Sequence, residues 1–136
     1  MLLLWGLALA GTSRADEPQP PYEGAHMSFV ETMHDFGEVE RRGGNVTADF
    51  EFVNDGTEPL VITQVTLSCT CIRASWSKRP VSVGGRGVVS ITYEPHKMEP
   101  GTFRKVVQVH SNARDGMRLL TVQGNAVNNK RKKNRH

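Results

Sequence analysis

Residues 46–53 read Val46-Thr47-Ala48-Asp49-Phe50-Glu51-Phe52-Val53, and this stretch decides the fold class. Val46, Ala48, Phe50 and Phe52 alternate with Thr47, Asp49 and Glu51. Successive residues of an extended chain point to opposite sides, so this period of two puts four apolar side chains on one face and three polar ones on the other. The stretch predicts a half-buried β-strand with Phe50 in the core.

The same kind of short apolar run recurs on either side. Residues 29–34, 60–67, 72–76, 88–93, 103–110 and 119–124 are further strand candidates. Between them fall Arg42-Gly43-Gly44, Asn54-Asp55-Gly56, Gly84-Gly85, Pro100-Gly101 and Asp115-Gly116. These residues tolerate the positive φ of tight turns. No stretch sustains a helical repeat. About seven short strands at this spacing, in about 100 residues, predict an all-β, immunoglobulin-like antiparallel β-sandwich. A chain of 136 residues, 38% hydrophobic, has material for one such domain.

The ends read differently. Residues 1–15 carry an apolar run from Leu2 to Ala10 and an A-x-A-like site at Ser13-Arg14-Ala15, the pattern of a secretory signal peptide. The run is far short of the roughly 20 apolar residues of a membrane span, so the expected product is exported, periplasmic or extracellular, and soluble, with no transmembrane segment. Residues 16–27 are a Pro-rich polar spacer, 28–127 the sandwich, and 128–136 a basic tail expected to be disordered.

Charge separates along the same lines. The formal charge is +3, but Lys130, Arg131, Lys132, Lys133 and Arg135 sit in the tail and Arg14 in the signal. Without those six, 11 basic residues face 14 acidic ones, and the folded part is mildly acidic. The tail would attract anionic surfaces in a salt-dependent way. It has no aromatic residue to stack on a base, so no specific nucleic-acid partner is expected.

The order of segments carries more than their period. His34-Asp35-Phe36-Gly37, Phe50 to Gly56, Leu60-Val61-Ile62, Ser68-Cys69-Thr70-Cys71, Tyr93-Glu94-Pro95, Ser111-Asn112 and Gly124 together resemble an exported bacterial family known as domain of unknown function 1573. That family is similar to immunoglobulin-like modules of the major sperm protein and Hydin type. The resemblance spans roughly residues 29–127 and implies a sandwich fold and an envelope address, without an assigned activity. This chain departs from the family pattern with Thr70 where the family has Gly between the cysteines, and with Gly84-Gly85 where it has a Pro-Gly turn.

Cys69 and Cys71 are the only cysteines. If the strand before them continued through both, their thiols would share one face with Val61, Val65 and Leu67. Three readings stand. An oxidising compartment favours a disulfide, strained if the chain is extended, because i and i+2 then lie near the upper end of the roughly 4.4–6.8 Å Cα span a disulfide accepts. Two adjacent thiolates also suit copper or zinc, with His96, Met98, His110 or Met117 as possible further ligands. The third reading is two reduced thiols packed as small apolar groups.

Other chemistry lacks its motifs. There is no Cys-x-x-Cys, His-Glu-x-x-His, Gly-x-Ser-x-Gly or phosphate-binding loop. His34-Asp35 and Asp35/Glu38 fit local hydrogen bonding at a strand end and its turn. The expected function is a non-catalytic binding module of the cell envelope whose partner is another envelope protein or peptide, without a required cofactor. A soft-metal carrier using the Cys-x-Cys pair, and anionic-surface binding by the tail, are the alternatives.

Overall fold

The alternating stretch forms strand β3 (Val46–Asn54), in which Ala48, Phe50 and Phe52 are buried and Thr47, Asp49 and Glu51 exposed. The computed structural model describes residues 23–128. The expected signal peptide, residues 16–22 of the spacer and the basic cluster from Lys130 onward lie outside the described residues. The described residues form eight strands: β1 (Met27–Phe29), β2 (Met33–Glu40), β3, β4 (Ile62–Leu67), β5 (Ile72–Trp76), β6 (Arg86–Tyr93), β7 (Gly101–Ser111) and β8 (Met117–Val127). Sheet I has the order β1-β3-β6-β5 and sheet II the order β2-β8-β7-β4. No helix among the described residues is long and apolar enough to cross a membrane.

This is an immunoglobulin-like sandwich, with two corrections to the expected seven antiparallel strands. The run expected as one strand over 29–34 is divided. β1 pairs antiparallel with β3 in sheet I, and the chain then crosses so that β2 runs parallel to β8 in sheet II. The crossing is pinned on both sides, by Val30 N–H donating to Glu51 O at 3.0 Å and Thr121 N–H donating to Thr32 O at 2.8 Å. The second correction concerns His34 to Glu38, which lies within β2 rather than at a strand end. The β2–β8 register shifts between Asp35 and Glu38, where Gly37 takes φ 71° and its N–H donates to Asp35 Oδ1 at 2.8 Å. Asp35 therefore makes the expected local hydrogen bond, but in a bulge.

The core fills from the inner faces of both sheets. Phe50, Phe52, Val89 and Ile91 of sheet I meet Val107, Val109, Leu120 and Val122 of sheet II, all buried. Phe52 lies opposite Gly87 on β6, and any side chain at 87 would enter the Phe52 ring. Phe29 packs edge-on against the same ring, with centroids 5.5 Å apart.

One pole of the sandwich is organised by Asn54, which is fully buried. Its Oδ1 accepts from His26 N at 3.3 Å and Gly56 N at 3.1 Å. Its Nδ2 donates to Glu58 O at 2.8 Å and Val81 O at 3.0 Å. Its backbone N–H donates to Gly85 O and its carbonyl accepts from Gly84 N. Beside it, His26 Nδ1 stands 2.6 Å from Asp55 Oδ1 and Ser28 Oγ donates to Asp55 Oδ2 at 2.7 Å. Burial works to raise the Asp55 pKa, but the bonds from Ser28 and His26 prevail and hold it below the ordinary carboxylate value.

Phe50→Ala should destabilise the protein by about 3–5 kcal/mol, the range for truncating a core aromatic. Asn54→Ala should cost about 3 kcal/mol or more, because the N–H groups of His26 and Gly56 lose this acceptor and the carbonyls of Glu58 and Val81 lose this donor at once, Val81 O keeping its bond from Leu60 N–H. Urea unfolding of both variants checks this, and a loss under about 1 kcal/mol for Asn54→Ala would show the turns hold without it.

Candidate functional site

The opposite pole is built around the two cysteines. β4 ends at Leu67, and Cys69-Thr70-Cys71 form a turn that carries the chain from the edge of sheet II to the edge of sheet I at β5. The turn is closed by Ile72 N–H donating to Cys69 O at 3.3 Å. The strand stops before the cysteines, as the 60–67 strand candidate had it, so the condition under which both thiols would share one strand face is not met. The turn shortens their Cα separation to 5.2 Å, and the pair is joined as a disulfide. No cysteine among the described residues is free, so the reading as two packed thiols does not describe this state.

Cys71 is fully buried and Cys69 half-buried. Met98 Sδ lies 4.0 Å from Cys69 Sγ. A short 3₁₀ turn, Pro95–Lys97, places Met98, whose N–H donates to Pro95 O at 3.2 Å. Arg41 Nε donates to Met98 O at 2.6 Å, and Arg41 Nη1 to Asn128 Oδ1 at 2.8 Å.

Glu94 links this turn to β5. Its N–H donates to Cys71 O at 2.7 Å. Its side chain, 4% exposed, is gripped by Lys97 Nζ on Oε1 and Arg73 Nε on Oε2, each at 2.6 Å. The Lys97 bond, opposed by burial and aided by the charges of Arg73, Lys97 and His96, holds its carboxyl below the ordinary range. Next to it, Tyr93 stacks on Phe103 with centroids 3.9 Å apart. Its buried hydroxyl has no hydrogen-bond partner among the described residues, and burial raises its pKa.

The four extra ligand candidates separate. Met98 touches the cysteine pair. His96 is exposed on the 3₁₀ turn. His110 and Met117 face each other across β7 and β8. His110 pairs with Gln64, whereas Leu67 pairs with Val107. That puts His110 three residues, or roughly 10 Å, further from the cysteine turn along β4.

Sequence reasoning missed Glu94, Arg41, Asn54 and the His26–Asp55 pair as organising groups. Glu94 had a signal in Tyr93-Glu94-Pro95; Arg41 had none, because its partners are 57 and 87 residues away. Ser28, His26 and Asp55 bring a hydroxyl, an imidazole and a carboxylate together, but in the wrong order for a serine nucleophile. Ser28 Oγ and Asp55 both address His26 Nδ1, at 3.4 and 2.6 Å. A catalytic triad needs its nucleophile on the other ring nitrogen.

Comparison with known proteins agrees with this architecture. A family model described as "Protein of unknown function (DUF1573)" matches residues 27–126. No curated protein is a match. Among solved structures, a protein of unknown function from Porphyromonas gingivalis W83 is 20% identical with a TM-score of 0.66, covering 76% of this chain; the chain spans only 48% of that protein. The ASH / PapD-like domain 7 of human CEP192 is 14% identical with a TM-score of 0.61, covering 85% of this chain and 93% of that one. The YadV chaperone is 11% identical with a TM-score of 0.52, covering 76% and 52%. At these identities the likeness is one of fold.

A carboxyl whose pKa is lowered by folding adds stability above its unfolded pKa, and that stability disappears as the pH falls through the folded value. Glu94→Gln should therefore flatten the acid limb of the stability profile. Wild type should lose its advantage over the variant as the pH drops below about 4, the unfolded range of glutamate. Thermal unfolding from pH 7 to 3 reads this directly, and parallel profiles would mean the ion pairs contribute nothing.

Proposed function

This chain belongs to the DUF1573 family, and we propose that it is an exported, non-catalytic binding module of the bacterial cell envelope that takes an extended segment of another envelope protein along the free edge of β4. Export rests on the apolar leader and small-residue cleavage pattern of residues 1–15.

The character of the sheet edges carries this reading. An edge strand presents unpaired N–H and C=O groups to any extended chain, and proteins commonly guard such edges with charge, bulges or brevity. β1 has three residues. β2 carries Asp35, Glu38 and Glu40 and a bulge. β5 carries Arg73, with Lys78 set over Trp76 at 4.1 Å. β4, Ile62-Thr63-Gln64-Val65-Thr66-Leu67, has no charged residue and no proline, and its one register shift against β7 lies at its start, between Ile62 and Gln64. It ends sheet II beyond β7, with Thr63, Gln64 and Leu67 exposed.

β-augmentation supplies affinity from main-chain bonds and specificity from neighbouring side chains. Those neighbours are in place on the same sheet. Met117 and Leu119 are 41% and 50% exposed, forming an apolar strip whose register partners on β7 are His110 and Gln108. Those two in turn pair with Gln64 and Thr66 of β4. Exposed apolar surface on the sheet that carries an uncharged edge fits a protein-binding face.

A photo-crosslinking side chain placed at Thr63 in the producing bacterium should capture a discrete partner, while the same group at Asp49, exposed on the outer face of sheet I, should not. With the crosslinker at 63, Gln64→Lys together with Leu67→Lys, both at exposed positions, should abolish capture and change stability by no more than about 0.5 kcal/mol per site, as exposed substitutions do. Equal capture from 49, or capture unaffected by the two lysines, would refute the assignment to this edge.

A further inference from the structure

We infer that the cysteine pole, once reduced, is a three-sulfur Cu(I) site made by Cys69, Cys71 and Met98. It stands apart from the edge-binding reading, because none of these three residues belongs to β4.

The spacing of the sulfurs is the first argument. Three ligands in a trigonal plane around a metal at roughly 2.3 Å, the length of a metal–thiolate bond, stand about 4.0 Å from one another. Met98 Sδ and Cys69 Sγ are 4.0 Å apart. Cys71 lies within the same turn, with its Cα 5.2 Å from that of Cys69. Its sulfur reaches the third corner by side-chain rotation once the disulfide is opened.

The second argument is that all three residues are held by their backbones and leave their side chains to bind. Met98 is fixed through its N–H by Pro95 and through its carbonyl by Arg41. Cys71 is fixed through its carbonyl by Glu94, and Cys69 through its carbonyl by Ile72. Cys71 N–H points at Cys69 Sγ at 3.2 Å. A donor aimed at sulfur favours the thiolate, which is the form that binds metal. Cys69 and Met98 are half-buried and Cys71 fully so, which gives the metal a solvent approach on one side and an apolar wall on the other.

Donor type selects the metal. Thiolates with a thioether suit Cu(I), whereas structural zinc takes four ligands from Cys, His and carboxylate. No group of three or more His, Cys, Asp or Glu among the described residues could hold a metal ion. The Glu94 carboxylate at this pole is occupied by Lys97 and Arg73.

Loading takes two balanced steps. A dithiol reductant gives two electrons and two protons to the Cys69–Cys71 bond, leaving two thiols and becoming a disulfide itself. Cu(I) then displaces both thiol protons to solvent and binds two thiolates and the neutral Met98 sulfur, with a net charge of minus one. Arg41, anchored on the Met98 carbonyl, places a cation at the rim of that site.

The test is an anaerobic titration of the full chain, reduced and freed of reductant, with Cu(I) in competition with a chromophoric chelator, followed by X-ray absorption. The expected result is one Cu(I) per chain in an all-sulfur shell of three, with no binding by the oxidised protein. Met98→Leu, a substitution close in volume that a core tolerates well, should keep the fold, weaken Cu(I) binding at least tenfold and leave two sulfurs. Cys69→Ser with Cys71→Ser should remove binding altogether. Failure of the reduced chain to compete, unchanged affinity in Met98→Leu, or a nitrogen or oxygen ligand in the absorption spectrum would each overturn the assignment.

Discussion

The buried amide of Asn54 is the interaction on which the rest of the sandwich depends. A side-chain amide offers two donors and one doubly accepting oxygen, and at Asn54 every one of these is used. With its two backbone bonds, one residue ties together the start of β1, the loop after β3 and the loop before β6. The Leu60–Val81 bridge lies beside it, and Asn54 joins that bridge to the start of β1. An aspartate would offer oxygens to two carbonyls, and a leucine would offer nothing, so no common replacement serves.

Much of the sandwich was legible in the sequence because strands buried on one face alternate. Val46–Val53 showed this openly, and its apolar set is the set found inside. The Gly84-Gly85 turn was visible too, since Gly84 does adopt φ 81°. The division of the first strand was not visible. Val30, inside the run expected as one strand, is 65% exposed because the chain is passing between sheets there, and no local pattern records which sheet a strand joins. The parallel partner of β2 lies at the far end of the chain and leaves no trace in nearby residues.

The candidate site was legible only as a list of residue types. Cys69 and Cys71 stood out by rarity, and Met98 was named among four possible companions on chemistry alone. Choosing among them required knowing that β4 stops at Leu67, that the chain turns, and that Pro95–Lys97 folds back over that turn. Glu94 shows the same limit. It is an acidic residue in a mildly acidic domain, and only the approach of Arg73 and Lys97 from different elements makes it a buried anchor. The two poles thus differ in kind: one is organised around the neutral amide of Asn54, the other around a buried carboxylate gripped by two cations next to sulfur.

The pairing of β2 with β8 has a consequence for the order in which the protein can be made. Met33 meets Thr121, so a strand synthesised early waits for one of the last residues of the domain to leave the ribosome. β1, β3 and β6 can assemble while the chain is still growing, but β2 has no partner in sheet II until translation has passed β8. Contacts this distant in sequence raise the entropy of closure and slow folding. A nascent chain of this design cannot close its second sheet until its final strand arrives.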